Sequence, residues 1–215
     1  MVEIIYSCEE YVAAVKPYGV LSEWDESRPN MIDEIADTLG VTRGSVYPVH
    51  RLDATTEGIM IYALTKKAAA DLSRSVTDGS FRKTYLAFIT AADDLSPSGE
   101  MHDFLFFDRR AGKTYIADSR KKGAKEAFLT YSLEDPFEWH GIAVTPARIE
   151  LQTGRTHQIR AQFASRRSPL LGDGKYGSRV NYKKPSLFSV SVEFCFRGER
   201  AVFSIEDRIS KSVFL

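Results

Sequence analysis

His50-Arg51-Leu52-Asp53-Ala54-Thr55-Thr56-Glu57-Gly58, followed without a break by Ile59-Met60-Ile61-Tyr62-Ala63-Leu64-Thr65, is the stretch on which the fold reading turns. The apolar run 59–64 is too short for a helix and too continuous for a half-exposed strand, so it predicts a strand buried on both faces. Thr65 is the residue type that caps a helix, and 66–76 carries Ala69, Leu72 and Val76 on one face. Asp53 therefore lies on a loop that leads into a buried strand, a position at which chemistry is commonly carried.

Outward from this stretch the chain alternates short apolar runs with turn signals. Strands are predicted over 4–6 and 11–15, with a turn at Lys16-Pro17-Tyr18-Gly19. Asn30 or Asp33 caps a short helix to Leu39 that Gly40 ends. Further strands are predicted over 84–90, 104–107, 126–133, 142–151 and 187–196. The last strand, 201–205, joins its predecessor across Arg197-Gly198-Glu199-Arg200. A short helix is predicted over 156–165, stopped before Pro169, and 91–100 reads as a loop. Many strands with few helices and no strict alternation predict an α+β fold with a mixed, mostly antiparallel central sheet and peripheral helices. No repeat, low-complexity segment or linker divides the 215 residues, which read as one domain.

The apolar fraction of 43% and the charged fraction of 27% place the chain among globular proteins rather than disordered or fibrous ones. Two cysteines, Cys8 and Cys195, give neither a disulfide framework nor metal-ligand spacing. The N-terminus lacks a signal peptide pattern and no run reaches transmembrane length, so a cytoplasmic location without a membrane partner is expected. Net charge is zero but unevenly spread. Residues 1–40 carry nine acids against two bases, 109–125 seven bases against one acid, and 148–184 nine bases against two acids. Two basic runs of this kind predict a nucleic-acid partner.

Asp53 lacks the companions of several chemistries. No carboxylate or second histidine stands at metal-ligand spacing to it, no serine sits in a Gly-x-Ser-x-Gly elbow, and no glycine-rich nucleotide loop is present. What remains is a carboxylate acting alone, which needs a nearby cation to stay ionised when buried. A second polar cluster, Thr153-Gly154-Arg155-Thr156-His157-Gln158-Ile159-Arg160, supplies cations. If it is helical from Thr156, then Thr156 and Arg160 share a face.

Five motifs in order carry a resemblance. They are Lys16-Pro17-Tyr18-Gly19; His50-Arg51-Leu52-Asp53 with Thr56 and Gly58; Lys83-Thr84-Tyr85-Leu86-Ala87; Gly154-Arg155-Thr156-His157-Gln158-Ile159-Arg160; and Pro169-Leu170-Leu171-Gly172-Asp173-Gly174-Lys175-Tyr176-Gly177. Together they resemble the RluA-type family of RNA pseudouridine synthases over about residues 4–205.

The resemblance implies the pseudouridine synthase catalytic-domain fold over 1–215, without a separate N-terminal RNA-binding domain. It also implies that uridines of structured RNA, ribosomal or transfer, are isomerised by a monomer. By that resemblance Asp53 initiates glycosidic cleavage, Tyr85 stacks on the base and assists proton removal at C5, and Arg160 pairs with Asp53. Leu187 lies against the base, and Arg51, Arg155, His157, Gln158 and Lys16 contact the RNA. Isomerisation involves neither redox change nor hydrolysis, so neither cofactor nor metal is expected. The base must be flipped out to be reached.

The chain departs from the family pattern at Glu57, where Thr-Ser-Gly is usual. It departs again at Ala161-Gln162, where Val-His is usual, and at Arg167-Ser168, where Gly-His precedes the proline. Glu57 adds a negative charge beside Asp53. These departures keep open an alternative, a catalytically inactive RNA-binding protein on the same scaffold. A metal-free hydrolase using Asp53 ranks behind both, for want of a second carboxylate or nucleophile.

Overall fold

The apolar run after Asp53 is a strand, Glu57–Ala63, and every residue from Gly58 to Ala63 is buried. A computed structural model of the chain describes residues 1–209; positions 210–215, the end of the expected domain range, lie outside the described residues. The elements in chain order begin with β1 (Glu3–Ser7), β2 (Tyr11–Lys16), α1 (Met31–Leu39), β3 (Tyr47–Pro48), β4 (Glu57–Ala63), α2 (Lys66–Thr77) and β5 (Arg82–Thr90). They continue with β6 (Ser98–Asp108), β7 (Lys113–Ala117), β8 (Lys125–Leu133), β9 (Phe137–Trp139), β10 (Ile142–Leu151), α3 (Gln158–Ser165), β11 (Leu187–Phe196) and β12 (Glu199–Ser204). The described residues fold as two compact units, one built from residues 1–83 together with 188–209, the other from Thr84–Leu187. The second unit is thus a single insertion into the sequence of the first.

In the first unit β4 is the central strand. It pairs antiparallel with β2, from Lys16↔Gly58 to Tyr11↔Ala63, and parallel with β11 through Phe188↔Glu57 and Ser189↔Gly58. β1 extends the sheet beyond β2, β12 beyond β11, and the short β3 also pairs with β4. Alternate residues of β4, Ile59, Ile61 and Ala63, join Ala68 and Leu72 of α2 and Phe81, Val192 and Phe194 in one apolar core. α2 buries Ala68, Leu72 and Ser75, whereas Val76, expected on the buried face, is exposed. The stripe is turned because Ser75 can be buried: its hydroxyl donates to Cys195 O at 3.0 Å. Asn30 caps α1 by accepting from Asp33 N at 3.0 Å, and Gly40 ends it in the left-handed region. The β11–β12 hairpin turns on Arg197-Gly198 alone, both at positive φ, so β12 starts earlier than its apolar residues suggest.

In the second unit β10 pairs antiparallel with β5, through Ile149↔Tyr85 among others, and with β8; β8 pairs with β6, and β6 with β7. β9 folds back on the start of β10. Ala161 of α3 packs with Leu105, Ala127 and Tyr176. Residues 98–100, expected in a loop, instead open β6, because Ser98, Gly99 and Glu100 pair with β8. The fold is α+β with mixed, mostly antiparallel strand pairing and, among the described residues, three α-helices, as the sequence predicts. Among the described residues no helix is long and apolar enough to cross a membrane.

Candidate active site

The loop that carries Asp53 is fixed from the N-terminal side of the chain. Lys16 is fully buried, and its ammonium donates to Pro17 O at 3.0 Å, Val20 O at 2.8 Å and Ala54 O at 3.3 Å. Gly19 N adds a bond to Ala54 O at 2.8 Å, and Thr56 N closes a turn on Asp53 O at 2.9 Å. Ser22 clips the other side: its hydroxyl donates to Leu52 O at 2.8 Å and accepts from Leu52 N at 3.0 Å. Asp53 is therefore flanked by two backbone residues that are each tied to the segment 16–22. Burial pushes the Lys16 ammonium down to about 8, while the charges of Glu57 and Asp53 oppose that shift. The glutamate that departs from the family pattern is itself engaged, because Glu57 Oε1 accepts from Tyr18 N at 3.1 Å.

Gly58 follows at φ 124°, where a side chain is strained, and a Cβ there would stand 2.1 Å from Ser189 O. The loop must therefore end in glycine for β4 to meet β11. His50, at the head of the motif, is buried; its Nε2 accepts from Ile61 N at 3.1 Å and its ring lies 5.0 Å from Phe81. Burial, and secondarily the charge of Lys83, push its pKa down to about 3, so the ring is neutral with its proton on Nδ1. Arg51 extends to the surface with Nη1 3.3 Å from Glu23 Oε2.

The second cluster lies in the inserted unit. Thr156 is not helical: His157 takes a left-handed conformation, φ 53°, and α3 starts at Gln158. Thr156 and Arg160 consequently share no helix face, and Thr156 O instead accepts from Thr114 Oγ1 at 2.7 Å. Arg160 is buried and closes a fork on Asp173, Nε to Oδ2 at 2.6 Å and Nη2 to Oδ1 at 2.7 Å. Its guanidinium also stands 4.8 Å from the centre of the Tyr176 ring. Tyr176 Oη in turn accepts from Thr114 N at 2.8 Å and lies 2.9 Å from His157 Nδ1. Tyr85 is buried on β5 opposite Ile149, and Leu187 is buried at the start of β11.

Of the residues expected on RNA, Arg51 and Arg155 are exposed and His157 is half-buried. Arg155 Nε donates to Glu126 O at 2.8 Å. Two expectations are corrected. Lys16 is turned inward to backbone carbonyls and presents no surface to a nucleic acid. Gln158 is 3% exposed, with Oε1 accepting from Thr153 Oγ1 at 2.8 Å and Arg155 N at 3.0 Å and Nε2 donating to Phe128 O at 3.1 Å. Both amide ends serve the fold. Two residues carry roles that the sequence did not assign them. Asp173 carried a signal, a carboxylate between glycines in a motif that follows the arginine motif; Ser22, a lone serine thirty residues from its partner, carried none. Among the described residues no group of three His, Cys, Asp or Glu is placed to hold a metal ion.

Residues 10–165 match the family model described as RNA pseudouridylate synthase. An uncharacterized RNA pseudouridine synthase of Haemophilus influenzae is 28% identical over 194 residues, covering 90% of this chain and 82% of that protein. The tRNA pseudouridine synthase C of Vibrio vulnificus is 29% identical over 197 residues, covering 85% of this chain and 77% of the other. Among solved structures, human RNA Pseudouridylate Synthase Domain Containing 1 superposes with a TM-score of 0.82 at 20% identity. That superposition covers 99% of this chain and 86% of that one, a likeness of fold.

Proposed function

The chain belongs to the RNA pseudouridylate synthase family, isomerases that act on RNA, and from that premise we propose that Asp53 initiates conversion of specific uridines in transfer or ribosomal RNA to pseudouridine. The observation that carries this reading is the double anchoring of Leu52 and Ala54, which leaves Asp53 on a loop with little freedom of its own. A reacting carboxylate must be held to within a fraction of an ångström, and two anchored neighbours do that.

In the reaction the bond from the sugar C1′ to N1 of uracil breaks, the base turns within the pocket, and C1′ bonds to C5. The proton on C5 leaves and N1 gains one, so the product is an isomer and no oxidant, reductant or water is consumed. Asp53 supplies the charge or nucleophile that assists departure of the base. Tyr85 offers its ring to the flipped uracil and assists removal of the C5 proton. Arg160, its guanidinium plane set by the fork on Asp173, is the cation that pairs with Asp53 in this reading and favours its ionised form in a desolvated pocket. Leu187 packs against the base, and Arg51, Arg155 and His157 meet the RNA backbone around it.

The engagement of Glu57 by Tyr18 N argues against the inactive reading, since it gives this added carboxylate a structural partner. The test is release of tritium from RNA labelled at uridine C5. Asp53→Asn is expected to release none while still binding RNA; undiminished release by that variant would refute the assignment.

A further inference from the structure

Outside the motifs, the inserted unit holds a cleft of about 810 Å³ lined by Trp139, His140, Tyr182, Asn181, Arg179 and Lys183 among others. The chemistry of its walls is unusual for a surface hollow. The ring of His140 stands 4.5 Å from Trp139 at 79°, and that of Tyr182 stands 5.4 Å away at 90°, so the indole meets two rings edge to face. Trp139 is carried on a tight hairpin, since β9 turns into β10 through His140-Gly141 alone, both at positive φ, with Trp139 paired to Ile142.

An aromatic enclosure of this form suits either a quaternary ammonium or a nucleobase. The charges decide between them. Arg179 and Lys183 are exposed on its rim, and no acidic residue lines it among those described. A cation would be repelled, whereas a nucleotide brings both a π-face and a phosphate.

We infer that this cleft takes an unpaired nucleotide of the RNA, its base on the Trp139–Tyr182 rings and its phosphates on Arg179 and Lys183. The inference rests on the reading of the chain as an RNA-modifying enzyme. It adds a second point of contact: Ile142 at the cleft and Ile149, the partner of Tyr85, are seven residues apart on β10, roughly 23 Å along the strand. RNA bound at both points must carry a single-stranded nucleotide at that distance from the target uridine.

Trp24 and Trp139 are the two tryptophans of the chain, so Trp24→Phe leaves Trp139 as the sole indole reporter. Titration of that protein with a short single-stranded oligouridylate is expected to quench its fluorescence. Tyr182→Ala is expected to weaken this binding about tenfold. The double variant Arg179→Ala/Lys183→Ala is expected to lower the slope of log affinity against log salt by about 1.4, two phosphate contacts at ~0.7 each. With substrate RNA, both changes are expected to raise KM about tenfold and to leave kcat within about twofold. Absence of quenching, quenching equal in all variants, or quenching by a trimethyllysine peptide but not by RNA would overturn the proposal. Failure of the catalytic reading has a different signature. Quenching that persists in a protein forming no pseudouridine supports the cleft and removes the activity, whereas pseudouridine formed with KM unchanged in both variants removes the cleft and leaves the activity.

Discussion

Arg160 and Asp173 form a two-point ion pair, with donor–acceptor distances of 2.6 and 2.7 Å, and both side chains lie almost wholly out of solvent. A fork of this kind fixes the plane of the guanidinium, which an ammonium cannot reproduce. Breaking a buried ion pair of this kind by removing one partner costs about 3–5 kcal/mol.

Asp173→Asn is therefore expected to lower unfolding stability by about that amount, measured by urea denaturation. Arg160→Lys is expected to destabilise as well, since one ammonium cannot satisfy both carboxylate oxygens along the fork. Equal stability of both variants and the parent would show that the pair contributes nothing to the fold.

Lys16→Met tests the anchoring of the Asp53 loop. Three carbonyls lose the ammonium, Ala54 O keeping its bond from Gly19 N, but the cost of burying an ammonium disappears as well, so the net stability loss is expected to be only about 1–3 kcal/mol. The rate is expected to fall further, by about 100-fold, because Ala54 O then keeps only the bond from Gly19 N and is held less firmly beside the reacting carboxylate. Tritium release under conditions where the variant remains folded separates the two effects; an unchanged rate would show that the clamp does not position Asp53.

His50 makes the first unit sensitive to acid. Its folded pKa is about 3, below the ordinary 6.5, so between these values the unfolded chain binds a proton that the folded chain does not. Stability from this group is complete above pH 6.5 and falls as pH drops toward 3, with about 2 kcal/mol lost between pH 7 and pH 5. His50→Gln is expected to flatten that part of the pH–stability curve. A curve with the same slope in both proteins would show that the imidazole does not carry the effect.

Gly58→Ala confronts both backbone strain and a clash, since the added carbon would stand 2.1 Å from Ser189 O. We expect about 3 kcal/mol of destabilisation, or separation of β4 from β11 at that point. Faster hydrogen exchange at the amides of Ser189 and Gly58 would reveal the second outcome, and an unaltered stability together with unaltered exchange would contradict both.

The sequence revealed the elements better than it revealed their partners. β4 and α2 were legible because a six-residue apolar run and a helical stripe are local patterns, and Asn30, Gly40 and Thr65 act within their own turns. The start of α3 was not, because nothing local marks His157 for a left-handed conformation. Asp53 stood out by its neighbours in sequence, yet the residues that fix its loop could not be read. Lysine in a turn reads as surface, and the inward course of Lys16 depends on carbonyls up to 38 positions away. Gln158 misled for the same reason, its amide being spent on Phe128, Thr153 and Arg155.

Gly58 meets Lys16 on one side and Ser189 on the other, so three distant portions of the chain converge on the residue that ends the Asp53 loop. The last of them, Ser189, leaves the ribosome well after the other two. Until then β4 has no β11 beside it, and its backbone on that side lacks this ladder. The whole inserted unit is synthesised during that interval. A chain that stops between Arg160 and Leu187 therefore carries Asp53, Tyr85 and Arg160 and still lacks the strand that pairs with the start of β4. Such fragments expose a hydrophobic strand edge of the kind that recruits other chains, which makes the pairing of β11 with β4 a checkpoint between a nascent polypeptide and aggregation.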